Sequence, residues 1–103
     1  MKILPEPLEF EWDKGNQDKN FRKHKVTNKE SEEAFENAEK FLHKDEKHST
    51  LEQRYMLWGA TKNGRQLSII FTLRDSFVRV ISARDMNKKE RRAYEKIKKD
   101  STL

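Results

Sequence analysis

The sequence has no cysteine, two prolines, three glycines and no long hydrophobic run. Without cysteine the chain cannot form disulfides or thiolate metal sites, which is compatible with a reducing cytoplasm. The three glycines do not follow the pattern of a phosphate-binding loop. The apolar runs are far shorter than a membrane span, and the first residues lack the apolar stretch of a signal peptide. We therefore expect a cytoplasmic protein that makes no membrane contact.

Charge is abundant and segregated along the 103 residues. Charged residues make up 40% of the chain and hydrophobic residues 33%, so a single domain over 1–103 must have a small core. Segments 14–29 and 79–99 are net positive, whereas 30–46 is net negative. Such segregation is typical of a protein that binds a polyanion or an acidic partner, but solvating helices explain the lysines equally well. We expect loose ends over about 1–8 and 100–103.

The first half of the chain predicts one strand and two helices. Leu8–Trp12 alternates apolar and acidic residues, as a half-buried strand does. Asp13 is placed to cap a helix that runs to about residue 24. Thr27-x-x-Glu30 is a capping box. A stripe at helical spacing follows it and predicts a second helix through Ala34, Phe35, Ala38, Phe41 and Leu42.

The second half predicts a polar loop, three strands and a final helix. After the loop over 43–52, alternating apolar residues indicate strands over Arg54–Thr61, Leu67–Leu73 and Phe77–Arg84. The Asn63-Gly64 pair favours a tight hairpin turn between the first two. Asn87-x-x-Glu90 caps the last helix. The order β-α-α-β-β-β-α is an α+β fold, with helices on one face of a small antiparallel sheet and the other face open for a site.

Arginines mark the ends of these strands. A guanidinium is permanently charged and grips phosphate through a two-point fork. Arg54 begins its strand and Arg84 ends the last one, so both are at a rim of the sheet. Arg79 and Arg84 have opposite parity in their strand, so they point to opposite faces unless a β-bulge intervenes. The simpler interpretation is that such arginines are solvated or pair with nearby acids, as Arg54 would with Glu52.

Two residues near the arginines are candidates for moving protons. Glu52 is a candidate general base for the 2′-hydroxyl of RNA, and His24, which follows Lys23, is a second candidate acid or base. Interaction of His24 with the end of its helix is the simpler explanation. Lys23 and Arg65 are candidate phosphate ligands.

Other residue types give weaker signals. The spacing of His43 and His48 fits no helical metal pair, so we expect neither a metal nor a cofactor. Trp12 and Trp58 are suited to stacking bases, although in so small a core a structural role is favoured.

An ordered series of short motifs over residues 10–95 resembles the BrnT toxin family. The series consists of Phe10-Glu11-Trp12-Asp13, Asn20, Lys23-His24-x-Val26, Ala34-Phe35, His48-Ser49, Glu52-x-Arg54, Gly59, Gly64-Arg65, Phe71-Thr72, Arg79-Val80-Ile81-Ser82-Ala83-Arg84 and Glu90-Arg91-x-x-Tyr94. Two positions depart from the family pattern. Lys25 stands where glycine is usual, and Asn16 stands where the first helix often has lysine.

The resemblance implies a type II toxin with a RelE-like fold and ribonuclease activity. It implies a BrnA-like antitoxin with a ribbon-helix-helix DNA-binding domain, and operator binding only through the toxin–antitoxin complex. Its motifs match the residues chosen for their chemistry. The resulting prediction is a metal-independent endoribonuclease that inhibits translation and growth, with Glu52, His24, Arg54 and Arg84 in catalysis and Lys23, Arg79 and Arg65 on RNA phosphates. The alternative is a non-catalytic basic module that binds nucleic acid or an antitoxin.

Overall fold

A four-stranded antiparallel sheet in the order β1-β2-β3-β4 organises the fold. The computed structural model describes residues 3–48 and 51–101. The strands are β1 Phe41–Lys44, β2 Tyr55–Ala60, β3 Gln66–Arg74 and β4 Phe77–Asp85. The helices in the described ranges are α1 Lys19–His24, α2 Asn28–Glu36 and α3 Lys88–Ser101, with a short 3-10 helix over Glu46–His48. The α+β class is confirmed, but the order α-α-β-β-β-β-α corrects the predicted one.

The predicted first strand, Leu8–Trp12, forms only an isolated parallel bridge, between Phe10 and Val78. The Glu11 N–H donates to the Val78 carbonyl at 2.9 Å, and the Val78 N–H donates to the Glu9 carbonyl at 2.8 Å. Phe10 packs against the core. The alternation therefore reflects burial at the free edge of β4, and the prediction of a full strand was wrong.

Helix α1 begins later than predicted because the segment before it forms hydrogen-bonded turns. The Asp13 carboxylate accepts from the Gly15 N–H at 2.8 Å, and the Asn16 side chain accepts from the Asp13 N–H at 2.8 Å. Asn16, which is buried, also donates to the Val80 carbonyl at 3.2 Å. Asp13 therefore caps a turn that is tied to β4 rather than a helix.

Helix α1 ends at a left-handed residue. Lys25, where the resembled family usually has glycine, has φ 58° and ψ 32°, and its N–H donates to the Phe21 carbonyl at 2.9 Å. Glycine adopts this conformation without the crowding that a Cβ introduces. The turn thus forms with lysine, but in a conformation that glycine favours.

We expect Lys25→Gly to raise the free energy of unfolding by about 1 kcal/mol, since it relieves the left-handed strain at the end of α1. The change also removes the contact of the Lys25 ammonium with the Phe21 ring, 5.4 Å from its centroid. Lys25→Ala serves as the control, because it removes that contact and keeps a Cβ. Urea unfolding of both variants is the measurement. Equal stabilities of the two would contradict the assignment of strain to Lys25.

The capping box of α2 is confirmed, but the helix is shorter than predicted. The Glu30 N–H donates to the Thr27 hydroxyl at 3.1 Å, and the Thr27 N–H donates to the Glu30 carboxylate at 2.9 Å. At the other end, the Asn37 side chain accepts from the Glu39 N–H at 2.8 Å and donates to the Ala60 carbonyl at 3.0 Å. These bonds draw Asn37 out of the helix into an extended conformation.

The chain after Asn37 therefore enters strand β1. Phe41 and Leu42, predicted as helical, and 43–44, predicted as loop, pair with β2. The other three strands agree with the predictions to within one residue at each end. The predicted turn at Asn63-Gly64 is confirmed, with Gly64 at φ 87°.

A β-bulge in β4 decides which side chains share a face of the sheet. The pairing of β3 with β4 shifts by one residue and leaves Ile81 without a partner. As a result Arg79 lies opposite Thr72, and Arg84 lies opposite Ser68. Because Thr72 and Ser68 have the same parity in β3, both arginines project from the same face.

The opposite face carries the core and packs against α2. Its buried cluster contains Val26, Ala34, Phe35, Leu57, Leu67, Ile69, Phe71, Val78, Val80 and Ala83. The approach of α2 to β2 is so close that a Cβ on Gly59 would lie 2.7 Å from the Ala34 carbonyl oxygen.

Helix α3 packs on the arginine side of the sheet, so the prediction that all helices cover one face was wrong. The Tyr94 ring lies 5.6 Å from the Phe41 ring, and its hydroxyl donates to the Glu39 carbonyl at 2.7 Å. The Gln66 amide donates to Glu95 at 2.6 Å. None of the helices in the described ranges has the length and apolar character to cross a membrane.

The predicted loose ends fall partly outside the described residues, as does Ser49 of the His48-Ser49 motif. Within the described ranges, Leu4 and Leu8 pack against the core, and α3 continues to Ser101.

Candidate functional site

The arginine side of the sheet is divided into a part that α3 covers and a part that stays accessible, which we call the open face. The side chains on the open face were identified from the strand register and, for Glu52, from its contact with Arg74. They belong to Glu52, Arg54, Met56, Ile70, Thr72, Arg74, Phe77, Arg79 and Ser82, with His43 at the edge. His43, Arg74 and Phe77 are exposed, whereas Met56, Ile70 and Ser82 are half-buried. The open face therefore combines charge with an apolar floor.

One cross-strand row of the open face contains Arg54, Thr72 and Arg79, which we call the arginine row. Thr72 pairs directly with Arg79. Arg54 comes directly before β2 and lies beside Thr72 by continuation of the register, in which Tyr55 pairs with Phe71. The buried Thr72 hydroxyl donates to the Gln53 carbonyl at 2.8 Å and fixes this alignment. Two guanidinium groups are thus placed on either side of a small residue.

Arg79 is held by acidic residues from the segment before α1. Its Nη1 donates to Glu11 at 2.9 Å and to Asp13 at 2.8 Å, and its Nη2 donates to Asp13 at 2.9 Å. The hydrogen bond from Arg79 is the main reason that the pKa of Asp13 lies below its usual value. The Arg79 side chain is only 11% exposed. It is therefore a fixed positive charge rather than a mobile one.

Glu52 and Arg74 occupy the next row, towards the β3–β4 turn. The Arg74 guanidinium lies 3.4 and 3.5 Å from the two Glu52 oxygens, and the side chains are 47% and 34% exposed. These distances exceed the ~2.7–2.9 Å of a tight charge-assisted hydrogen bond. Glu52 and Arg74 therefore retain capacity to bind another group.

Arg74 and His43 belong to the open face and were missed in the sequence. Arg74 was left just outside the predicted strand Leu67–Leu73, although its parity with Thr72 in β3 is a usable signal. His43 was assigned to a loop. In the structure it pairs with Met56, and its ring lies 5.7 Å from that of Trp58.

Arg84 lies on the same side of the sheet, but beneath the beginning of α3. It forms two hydrogen bonds with Glu90, at 2.7 and 3.0 Å. Burial opposes ionisation of Glu90, yet hydrogen bonds from Arg84 and from the Asn87 N–H hold its pKa below the usual value. The predicted cap is confirmed, since the Asn87 side chain accepts from the Glu90 N–H at 2.8 Å. Arg84 thus anchors the start of α3 to β4.

Arg65 connects three elements at the far end of β4. It donates to Asp85 at 2.7 and 3.0 Å, to Glu30 at 3.2 Å, and to the carbonyls of Lys25 at 2.8 Å and His24 at 3.2 Å. The hydrogen bond with Asp85 is the main cause that raises the pKa of Arg65. These contacts hold the α1–α2 connection against the sheet.

The structure therefore brings some of the predicted site residues together and separates others. Glu52, Arg54 and Arg79 lie in adjacent rows of the open face, and Arg84 lies further along the same side. His24, which is half-buried, and Arg65 lie near Asp85, and the exposed Lys23 precedes His24 at the end of α1. The length of β4, about 25 Å, separates the last group from the Glu52 row.

Stability is expected to fall with acid because four carboxylates have a lowered pKa: Asp13, Glu30, Asp85 and Glu90. Their ordinary values are 3.8 for Asp and 4.5 for Glu. A lowered folded-state pKa stabilises the protein fully above these values, and this stabilisation is lost as pH falls through the folded-state pKa. Urea unfolding between pH 7 and 3 should show the decline beginning near pH 4.5.

Arg65→Met should flatten part of this decline, because the hydrogen bond from Arg65 is the main cause that lowers the pKa of Asp85. For Glu30, burial raises the pKa, and hydrogen bonds from the Thr27 N–H and from Arg65 together lower it. Arg92→Met, on the exposed side of α3, is the matched control. The same pH slope in Arg65→Met and in the unmodified protein would show that Arg65 does not set these values.

Within residues 3–48 and 51–101, no three histidine, cysteine or acidic side chains are grouped so as to hold a metal ion. A sequence model of one protein family matches residues 12–90, and the family is described as "Ribonuclease toxin, BrnT, of type II toxin-antitoxin system". The match extends from the end of the Phe10 bridge through all four strands to Glu90 at the start of α3. No curated protein matches the chain.

Proposed function

The chain belongs to the BrnT family of ribonuclease toxins from type II toxin–antitoxin systems, and we propose that it is a metal-independent endoribonuclease that acts at the open face of its sheet. The family implies an RNA target and an antitoxin partner. The observation that carries the proposal is the placement of Glu52 next to the arginine row on an accessible surface. The α+β architecture supports the RelE-like fold that the resemblance implies.

The proposed reaction is attack of a ribose 2′-oxygen on the adjacent phosphorus. The 2′-hydroxyl proton goes to Glu52, a bond forms from the 2′-oxygen to phosphorus, and the bond to the 5′-oxygen breaks. The products are a 2′,3′-cyclic phosphate and a 5′-hydroxyl: the 5′-oxygen takes its proton from a water molecule, and Glu52 returns the proton that it accepted to the resulting hydroxide. Arg54 and Arg79 stabilise the charge that develops on the phosphate oxygens, without any change of protonation state.

The two arginines differ in how they contribute. Glu11 and Asp13 fix Arg79, so we assign it a positioned charge at the edge of the site. Arg54 follows Glu52 by two residues in the chain and therefore lies closer to it than Arg79 does. We assign Arg54 the direct contact with the reacting phosphate. Glu52 shares a face with both, which is why we favour it over His24 as the proton acceptor.

The remaining predicted residues have supporting roles in the proposal. Lys23 and His24 are candidates for phosphates of the RNA away from the cleavage point, because Lys23 is exposed near the end of α1. Arg65 and Arg84 are candidates for phosphate contact only if RNA displaces the carboxylates that now hold them.

Cleavage of RNA by the purified protein in excess EDTA tests the proposal. We expect products that end in a 2′,3′-cyclic phosphate, and we expect 2′-O-methyl RNA to resist cleavage. Salt-sensitive binding without cleavage would instead support the alternative, a non-catalytic module. Cleavage that depends on an added divalent metal would overturn the metal-independent mechanism.

We further propose that the antitoxin is a BrnA-like protein with a ribbon-helix-helix domain, and that only the complex binds operator DNA. The toxin would act on RNA in the cytoplasm and arrest translation and growth. Co-expression with a small ribbon-helix-helix protein from a neighbouring reading frame should restore growth and yield a complex on purification. Operator binding by the isolated toxin would contradict this assignment.

A further inference from the structure

The β3–β4 hairpin presents a cation and an aromatic ring side by side at the end of the open face. Arg74 and Phe77 are cross-strand partners. Asp75 and Ser76, with φ of 50° and 69°, form the turn between them. Two left-handed residues give a turn whose twist matches that of the flanking strands, so the register is fixed. The Cβ atoms of such partners are about 5 Å apart.

Both side chains are accessible. Phe77 is 36% exposed, and the Arg74 side chain is 47% exposed. By comparison, Arg79 is 11% exposed and has contacts with Asp13 at 2.8 and 2.9 Å. The Arg74 guanidinium nitrogens lie further from their acidic partner, at 3.4 and 3.5 Å from the Glu52 carboxylate oxygens. Of Arg74 and Arg79, Arg74 is therefore the easier one for an incoming anion to engage.

We propose, on the basis of the proposed function, that Arg74 and Phe77 form a nucleotide subsite for single-stranded RNA. Phe77 stacks on a base, and Arg74 binds the neighbouring phosphate. An aromatic ring accepts any base because every base has a π-face, and an adjacent cation neutralises the backbone. Arg79 lies two residues further along β4, about 7 Å away. A strand seated on Phe77 therefore continues towards the arginine row and Glu52.

The chemistry of this subsite excludes a duplex. In a double helix each base is stacked on its neighbours, and a surface phenyl ring has no base face to contact. Only an unpaired base can lie flat on Phe77. The subsite therefore selects single-stranded RNA and places one nucleotide beside the cleavage point.

Binding of a fluorescent 2′-O-methyl RNA oligonucleotide, measured by anisotropy, tests this subsite without requiring cleavage. Phe77→Ala should weaken binding by about 5- to 100-fold, and Phe77→Tyr should restore it. Phe21→Ala is the matched control, because Phe21 is also an exposed phenyl ring beside a cation: it is 46% exposed and contacts Lys25. It lies on α1, away from the open face. We expect that control to change the affinity less than twofold.

A second oligonucleotide with abasic positions separates stacking from charge. The unmodified protein should bind it as weakly as Phe77→Ala binds the intact strand, and Phe77→Ala should lose nothing further. Arg74→Gln should weaken binding to both strands and lower the slope of affinity against salt by about one. Equal affinity of Phe77→Ala and the unmodified protein for the intact strand would overturn the subsite, as would equal binding of duplex RNA.

Failure of the subsite and failure of the proposed function give different results. If unmodified RNA is cleaved and Phe77→Ala binds normally, the subsite is wrong and the ribonuclease assignment stands. If RNA is not cleaved and binding depends on Phe77, the catalytic proposal is wrong and the subsite stands.

Discussion

Glu52→Gln is expected to lower the rate of RNA cleavage by about 10²- to 10⁴-fold, the range for loss of a general base. Glutamine keeps the shape of the side chain but does not accept the proton of the 2′-hydroxyl. Binding should be unchanged or tighter, because the variant removes a carboxylate that lies 3.4 Å from Arg74. Single-turnover cleavage and binding of 2′-O-methyl RNA measure the two effects separately.

Glu36→Gln is the matched control for this variant, since Glu36 is exposed at the end of α2. It makes the same chemical change away from the open face and should cleave at the normal rate. A Glu52→Gln variant that is folded and fully active would remove Glu52 from the mechanism. His43→Ala and His24→Ala would then decide which histidine moves the proton, because His43 shares the open face and His24 does not.

Arg54→Gln is expected to lower the rate constant for cleavage by about 10²- to 10³-fold, as loss of a preorganised charge at a developing oxyanion does. Arg54→Lys should recover only part of that loss. Lysine keeps the positive charge, but it lacks the planar fork that binds two phosphate oxygens. The measurement is kcat at saturating RNA, together with KM.

The pattern of the two constants distinguishes the possible roles of Arg54. A loss in kcat indicates stabilisation of the transition state, whereas a rise in KM alone indicates simple phosphate binding. Arg92→Gln, on the exposed surface of α3, controls for removal of one positive charge. Urea unfolding of each variant shows whether its stability matches that of the unmodified protein.

Local signals in the sequence were sufficient for several element boundaries. The helix caps at Thr27 and Asn87 and the turn at Gly64 are confirmed. They were predictable because each depends on residues only a few positions apart in the sequence. The boundary between α2 and β1 was not predictable from periodicity. Phe41 and Leu42 fit a helical stripe, but the Asn37 side chain bonds to a carbonyl 23 residues away in β2.

The candidate site was predictable in residue type and only partly in arrangement. Glu52, Arg54 and Arg79 were identified from their chemistry, and the structure places them in neighbouring rows. Arg65 and Arg84 have the same chemistry but are held by carboxylates from other elements, which residue spacing does not reveal. Strict alternation placed Arg79 and Arg84 on opposite faces, and the bulge at Ile81 reverses that inference.

The unpaired Ile81 also determines how β4 responds to a change in its length. Deletion of Ile81 would restore regular pairing, and Arg79 would still lie opposite Thr72 and Arg84 opposite Ser68, so both arginines would keep their common face. Insertion of one residue between Ser82 and Arg84, with the bulge unchanged, would instead place Arg84 opposite Leu67 on the core face, so we expect the insertion to be tolerated less than the deletion. A longer turn at Asp75–Ser76 would likewise lose the two left-handed residues that now set the pairing of Arg74 with Phe77.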